Sequence, residues 1–353
     1  MKAGIAIMLL SGACAASGFS LAADKSGVSF SHKDWELACD NTGTCRAAGY
    51  QVDAAEPAVS LLLTRVAGPR QEVTAQIQLG SYGDDDSALA KGVTELAVNA
   101  GGRAVGTIRL VPGAQASPLS DATLAALMPA LLQSSEVRFS NGKKEWKLST
   151  AGVSAVLLKM DEYQGRIGTV GAIVRKGSKP EDGVLKPVAA PVVIAAPVPK
   201  EGKETLLQPV QRAALLKELR KVASADDCGG LHEEKVEFAV ARLSGTKLVA
   251  SVVCESFAYN QTSMFWVINA TAPYAPVSAS GDATAYANGQ ISSASKGRGL
   301  GDCWSSTVHT WDGVQFVRTS ESTTGMCRLV APGGAWELPT FVTTVRKSAS
   351  KAR

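Results

Sequence analysis

A chain of 353 residues has room for two domains or one large β domain, and a formal net charge of +4 is too mild to imply a nucleic-acid partner. Three histidines, with no His-Glu-x-x-His and no paired His/Cys spacing, argue against a zinc-type site. Beyond the N-terminus no stretch approaches the ~20 apolar residues of a transmembrane span.

Residues 1–22 have the layout of a secretory signal peptide. Met1-Lys2 supplies a basic start, Ile5 to Leu10 is apolar, and Ser20 and Ala22 are the small residues a cleavage site needs. Cleavage after Ala22 predicts a periplasmic protein. Cys14, behind Ser11-Gly12-Ala13, offers a lipoprotein alternative, although such a site wants leucine where Ser11 stands.

An N-terminal β-rich domain is predicted over 24–178. Trp35, Leu37 and Cys39 alternate with polar or small residues, the period-two signature of a half-buried strand. Asn41-Thr42-Gly43 supplies a turn, so Cys39 and Cys45 clip a hairpin. Ala58–Val66 and Val73–Leu79 are further strands, and Thr94–Val98 and Arg103–Leu110 flank a turn at Asn99–Gly102. Ser120 caps a helix running towards Leu132, which Pro129 is expected to kink or shorten. Val137–Phe139 and Glu145–Leu148 pair around Asn141-Gly142. Thr150 is the expected cap of a second helix with Val153, Val156, Leu157 and Met160 on one face.

Residues 179–204 hold five of the fifteen prolines and read as an extended linker, with Val192–Ala196 as a possible edge strand. A C-terminal domain follows over 205–347, then a tail at 348–353. It begins with a helix at Pro209 whose apolar stripe is Leu215, Leu216, Leu219 and Val222. The opposite face carries Arg212, Lys217, Arg220 and Lys221, read as solvated. Strands are predicted at Val236–Ala241, Leu248–Glu255 and Met264–Ala270. A two-residue turn at Asp312-Gly313 joins Thr307–Trp311 to Val314–Ser320, placing His309 opposite Phe316. The fold class is α+β, mainly β: two antiparallel-sheet domains of sandwich or meander type, each with one or two helices.

Six cysteines follow the signal: Cys39, Cys45, Cys228, Cys254, Cys303 and Cys327. An even count in an exported chain reads as disulfides. Proximity favours 39–45, 228–254 and 303–327 among the 15 possible pairings.

The segments FSHKDWELACDNTGTCRAAGYQ, LLKMDEYQGRIGT, KGRGLGDCWSSTVHTWDGVQF and CRL resemble the bacterial family known as domain of unknown function 1176 across nearly the whole mature chain. The resemblance implies exported proteins of Gram-negative bacteria with a two-part β-rich organisation, and it brings no catalytic residues. Trp304 departs from the glycine that often follows the cysteine of GLGDC. Trp35, Cys39, Cys45 and the strands after them are also similar to invasion-associated locus B proteins, which makes host interaction the alternative function.

The remaining motifs point to little chemistry. Gly297, Gly299 and Gly301 precede a β-hairpin rather than a helix, so no dipole faces a bound phosphate. Cys303 and His309 form a nucleophile–base pair only if the thiol is free. His232 lies in an acidic surface cluster. Gly83–Ser87 is acidic but lacks the spacing of a calcium loop. Asp161 and Glu162 diverge by about 100° on a helix, poor geometry for an acid–base pair. Ser293–Lys296 matches Ser-x-x-Lys without the helix start that motif needs. Tyr259, Phe265, Trp266, Tyr274 and Tyr286 are the candidate ligand surface: such aromatics usually build a β core, but exposed ones stack on sugars or anchor a partner. The sequence thus predicts an exported, non-catalytic binding or envelope-associated module of unknown partner, with no cofactor and no metal. An envelope hydrolase whose site has no sequence signature is the second alternative.

Overall fold

The computed structural model describes residues 26–82, 92–133, 135–200 and 206–348. The signal peptide, Cys14, the acidic turn 83–87 and residues 349–353 of the tail lie outside them.

Among the described residues the first half contains ten strands and two helices: β1 (Val28–His32), β2 (Trp35–Cys39), β3 (Cys45–Tyr50), β4 (Val59–Arg65), β5 (Thr74–Leu79), β6 (Glu95–Ala100), β7 (Arg103–Arg109), β8 (Ser117–Pro118), α1 (Asp121–Leu132), β9 (Val137–Ser140), β10 (Glu145–Leu148) and α2 (Val153–Tyr163). They form an antiparallel sheet ordered β1-β2-β3-β4-β5-β8 and a second ordered β10-β9-β6-β7. Alternation on β2 sends Trp35, Leu37 and Cys39 into the main core, which both helices cover with Leu124, Leu127, Leu131, Val153, Val156, Leu157 and Met160. The opposite face of the same sheet carries Ala38, Ala48, Tyr50 and Leu62 into a different cluster, completed by Val330, Ala335, Trp336 and Leu338 from the far end of the chain. One sheet thus serves two cores.

Two local expectations change. Pro129 does not break α1, which runs on to Leu132 with the proline in its last turn, where Gln133 N–H still reaches the Pro129 carbonyl. The cap of α2 is Gly152 rather than Thr150: its φ of 102° is left-handed, and a Cβ there would stand 1.9 Å from the His32 carbonyl oxygen. Close approach of β1 decides that residue.

The proline-rich segment 179–204 contains strand β11 (Val192–Ala195). Before it, Leu185 N–H bonds the Gln164 carbonyl and Val188 N–H the Thr42 carbonyl. The stretch is therefore tied to the first half before it reaches the second.

The second half holds α3 (Pro209–Val222), a short 3₁₀ turn at Gly229–His232, and strands β12 (Phe238–Arg242), β13 (Lys247–Ser256), β14 (Gln261–Asn269), β15 (Val277–Ala283), β16 (Ala285–Ala287), β17 (Gln290–Lys296), β18 (Trp304–Trp311), β19 (Phe316–Thr323), β20 (Leu338–Val342) and β21 (Thr344–Lys347). β12 to β15 make one antiparallel meander and β16 to β20 another, while β21 pairs in parallel with β11. The fold is α+β and mainly β, with open sheets. On α3, Leu215 and Leu219 are buried, Leu216 is half-buried, and Val222 is exposed. Its basic face is not wholly solvated. Arg212 donates to the Phe238 carbonyl and stacks on that ring, and Arg220 donates to the carbonyls of Leu231 and Glu233.

The β18–β19 hairpin is longer-looped than its Asp-Gly dipeptide predicts. Trp311 pairs with Phe316, Thr310 with Val317 and His309 with Arg318. The Asp312 carboxylate accepts the N–H groups of Val314 (2.7 Å) and Gln315 (2.8 Å), an Asx turn that outcompetes the tighter turn.

Candidate functional site

The glycine-rich segment before β18 is a brace. Cys303 is bonded to Cys327, with Cys39–Cys45 and Cys228–Cys254 the other two disulfides. Asp302 takes a bidentate pair from Arg298 (2.7 and 2.5 Å) and the Leu329 N–H (2.7 Å), closing the loop over the disulfide. Burial alone would raise the Asp302 pKa, but the Arg298 and Leu329 donors outweigh it and hold the carboxyl below its ordinary value. Gly297 is required by this packing: a Cβ there would come 2.7 Å from Cys303 Sγ and 3.0 Å from Cys327 Sγ. With its sulfur in a disulfide, Cys303 has no nucleophile to offer His309. Ser293 and Lys296 lie on strand β17, not at a helix start. His232 Nε2 bonds the Ala223 carbonyl at 2.9 Å.

The five aromatics of the candidate surface separate. Phe265, Trp266 and Tyr274 are buried in the cores of the second half, as β residues of this size usually are. Tyr286 is half-buried in edge-on contact with Phe316, and Tyr259 is 47% exposed beside Gly299. They do not form one surface.

Sequence reasoning missed the role of MDEYQGR. Asp161 lies one helical turn after Leu157, on the core face of α2, and is completely buried. It accepts the N–H groups of Ile173 (2.8 Å) and Val174 (2.9 Å) and faces Arg65 at 3.5 Å. Arg166, also fully buried, pairs with Glu181, donates to the Gly68 carbonyl and reaches Gln164 Oε1. Burial, followed by the charge of Arg166, pulls the Arg65 pKa down to about 10. Burial also raises the Asp161 pKa against the pull of its backbone and arginine partners. The polar groups are largely consumed by one another, which marks a structural lock. The legible signal was the i, i+4 placement of Asp161 on an apolar stripe.

The residues best placed to meet a ligand lie in a cleft of about 530 Å³ between the first sheet and the β16–β20 sheet. One wall is the outer face of β1 and β2, with Ser29, Ser31 and Glu36. The other is a polar grid: pairing aligns Ser295, Ser305 and Thr323 in one cross-strand row and Ser293, Thr307 and Glu321 in the next. β20 joins the walls, since it pairs with β19 and its Thr340 carbonyl accepts the Gly27 N–H. Eleven of the eighteen lining residues are serine or threonine, three are carboxylates, and none is lysine or arginine.

Glu36 is the most elaborated of the three. Its Oε1 accepts Tyr50 Oη–H (2.6 Å) and the Met326 N–H (2.6 Å), so both halves of the chain fix it. Burial pushes its carboxyl above the ordinary range, against the lowering pull of those donors and of the Arg328 charge. Arg328 is itself held by Asp34 at 2.8 Å. Glu321 pairs with Arg318, and Asp282 accepts the hydroxyls of Ser280 (3.3 Å) and Ser293 (3.5 Å). The three carboxylates do not form a close triad of ligand atoms. Among the described residues the sole close cluster of three metal-type ligand atoms is Asp302 with the disulfide sulfurs of Cys303 and Cys327, which are committed to one another.

These features define a mainly β, disulfide-braced protein with a hydroxyl-lined cleft between sheets from its two halves. The chain belongs to the family described as Protein of unknown function (DUF1176), which matches residues 29–343. It is 24% identical over 306 residues to Uncharacterized protein YpfG of Escherichia coli (strain K12), covering 80% of this chain and 84% of that protein. The crystal structure of invasion associated protein b from Bartonella henselae aligns with 39% of this chain and 99% of its own at 14% identity, and its TM-score of 0.27 carries no argument. Three disulfides suit an oxidising environment, and no helix among the described residues is long and apolar enough to cross a membrane.

Proposed function

We propose that this protein is an exported, periplasmic binding module of the cell envelope, without catalytic machinery, and that it holds its ligand in the inter-sheet cleft. The observation that carries this reading is the cleft's composition: hydroxyls on two opposed sheet faces, with a half-buried glutamate fixed by both halves of the chain. Export is supported by the signal-like layout of residues 1–22 and by three disulfides. A binding role is favoured over a catalytic one because no close triad of ligand atoms lies in the cleft and the cysteines are bonded, leaving polar groups suited to recognition.

Two measurements test it. Mass spectrometry of protein from fractionated cells should find it in the periplasm, beginning at Ala23 with all six cysteines oxidised. Hydrogen exchange in the presence of a periplasmic extract should protect β1, β2 and β17–β19. A cytoplasmic, uncleaved chain would refute export, and unchanged exchange across those strands would refute the cleft as a ligand site.

A further inference from the structure

We propose that the cleft binds an oligosaccharide whose sugar units are uncharged or amine-bearing, an assignment that rests on the binding-module reading and names its ligand. The argument begins with the grid. Rows Ser295–Ser305–Thr323 and Ser293–Thr307–Glu321 present six polar groups on one sheet face. Their spacing is ~4.8 Å between strands and ~7 Å along them. Each hydroxyl both donates and accepts, which is also the chemistry of a sugar hydroxyl. A ligand dense in such groups can pair with several grid positions at once.

Other ligand classes fit less well. An apolar ligand would remove water from the hydroxyls without replacing its hydrogen bonds. A phosphorylated or acidic ligand would meet Glu36 and Asp282, with Glu321 already paired to Arg318, in a lining that has no lysine or arginine. An extended peptide adds to a sheet edge and needs apolar pockets for alternate side chains. Here both walls are sheet faces, and the β20 edge near β1 is already bonded through Gly27 and Asn41.

Glu36 supplies a pre-oriented acceptor. Tyr50 and Met326 hold Oε1, and Oε2 takes no partner among the described residues. Across the cleft, Asp282 is held by hydroxyls alone, so an amine on the ligand would find an uncompensated carboxylate there. Ser31, the cross-strand partner of Glu36, adds a second hydroxyl to the same wall.

The test is isothermal titration calorimetry of the full mature chain with four probes: glucosamine hexamer, N-acetylglucosamine hexamer, galacturonic acid hexamer and hexalysine. Both amino-sugar hexamers should bind and the galacturonic acid hexamer should not. Thr307→Val should weaken both by about fivefold, the loss of one hydrogen bond. Glu36→Gln should weaken the glucosamine hexamer by about fivefold or more. Asp282→Asn, at an exposed position, should weaken the glucosamine hexamer more than its N-acetylated counterpart. Silence from both amino sugars, equal binding of the acidic hexamer, or unchanged affinity in Thr307→Val with retained thermal midpoint would overturn the assignment. If hexalysine alone binds, the ligand class is wrong while the cleft remains a binding site. If no probe binds and the periplasmic extract protects no cleft strand, the binding-module reading falls with it.

Discussion

Replacing Arg166 with methionine should be among the most damaging single changes this fold can receive. The guanidinium is fully buried and engages Glu181, the Gly68 carbonyl and Gln164 Oε1. Without it, the Glu181 carboxylate, whose side chain is 7% exposed, keeps the Arg70 N–H as a donor but has lost its counter-charge. Breaking a buried ion pair from one side costs about 3–5 kcal/mol. The Gly68 and Gln164 oxygens each lose a donor, at about 1 kcal/mol apiece. Burial of the methionine side chain returns about 1–2 kcal/mol, leaving a net loss of about 3–6 kcal/mol. Such a loss is a large part of the 5–15 kcal/mol typical of a whole domain. Urea unfolding followed by fluorescence is suitable, because Trp35 and Trp146 are buried in the core of the first half. Arg166→Lys keeps the charge without the fork and should fall between the parent and the methionine variant. The double variant Arg166→Met/Glu181→Gln removes the orphaned charge and should recover about 2 kcal/mol of the loss. A methionine variant within about 1 kcal/mol of the parent, or a double variant less stable than the single one, would refute the account of a buried charge lock.

Three further predictions follow from other parts of the structure. Loss of the Cys303–Cys327 bridge in Cys303→Ala/Cys327→Ala should lower stability by about 3 kcal/mol, given a sequence separation of 24 residues; unchanged urea midpoints in oxidised parent and variant would contradict this. Gly297→Ala should destabilise by about 1–3 kcal/mol, because its Cβ would press on both sulfurs of that bridge, and a thermal midpoint equal to the parent's would show that the loop yields freely. Glu36 has a raised pKa in the folded state, so its contribution to stability is full below the unfolded value and declines as pH rises through the folded one. Glu36→Gln removes that decline: the parent should lose stability relative to the variant as pH rises from about 4 towards 7, and a pH-independent difference in urea midpoints would refute it.

Much of the fold was legible because it depends on local rules. Period-two alternation located β2 and β5, β-rich runs and turn residues located β12, β13, β14, β18 and β19 but not β15–β17, β20 or β21, and the three nearest-neighbour cysteine pairs are the three disulfides. Local rules failed where a distant segment intervened. Gly152 displaced Thr150 as the cap because β1 passes too close for a Cβ. Val222 left the apolar stripe of α3 because the core reaches only as far round that helix as Leu215 and Leu219. Arg212 is half-buried, and Arg220 is tied down while still exposed, because carbonyls of the following segments stood within reach.

By itself, the sequence determined the β-rich class, the disulfide pairing expected from proximity, and the weakness of the thiol, phosphate and zinc motifs. All of these depend on residues close in the chain or on composition. The tertiary structure decided where Glu36, Asp161 and the serine-rich strands sit and what they bond. Glu36 is fixed by the N–H of Met326, 290 residues away. Asp161 and Arg166 become a lock only when Arg65 and Glu181 close on them. Serines on β17 and β18 look like ordinary strand residues until register aligns them with β19 and sets them opposite β1 and β2. Such a site is a product of long-range pairing, and no local pattern of spacing or hydropathy encodes it.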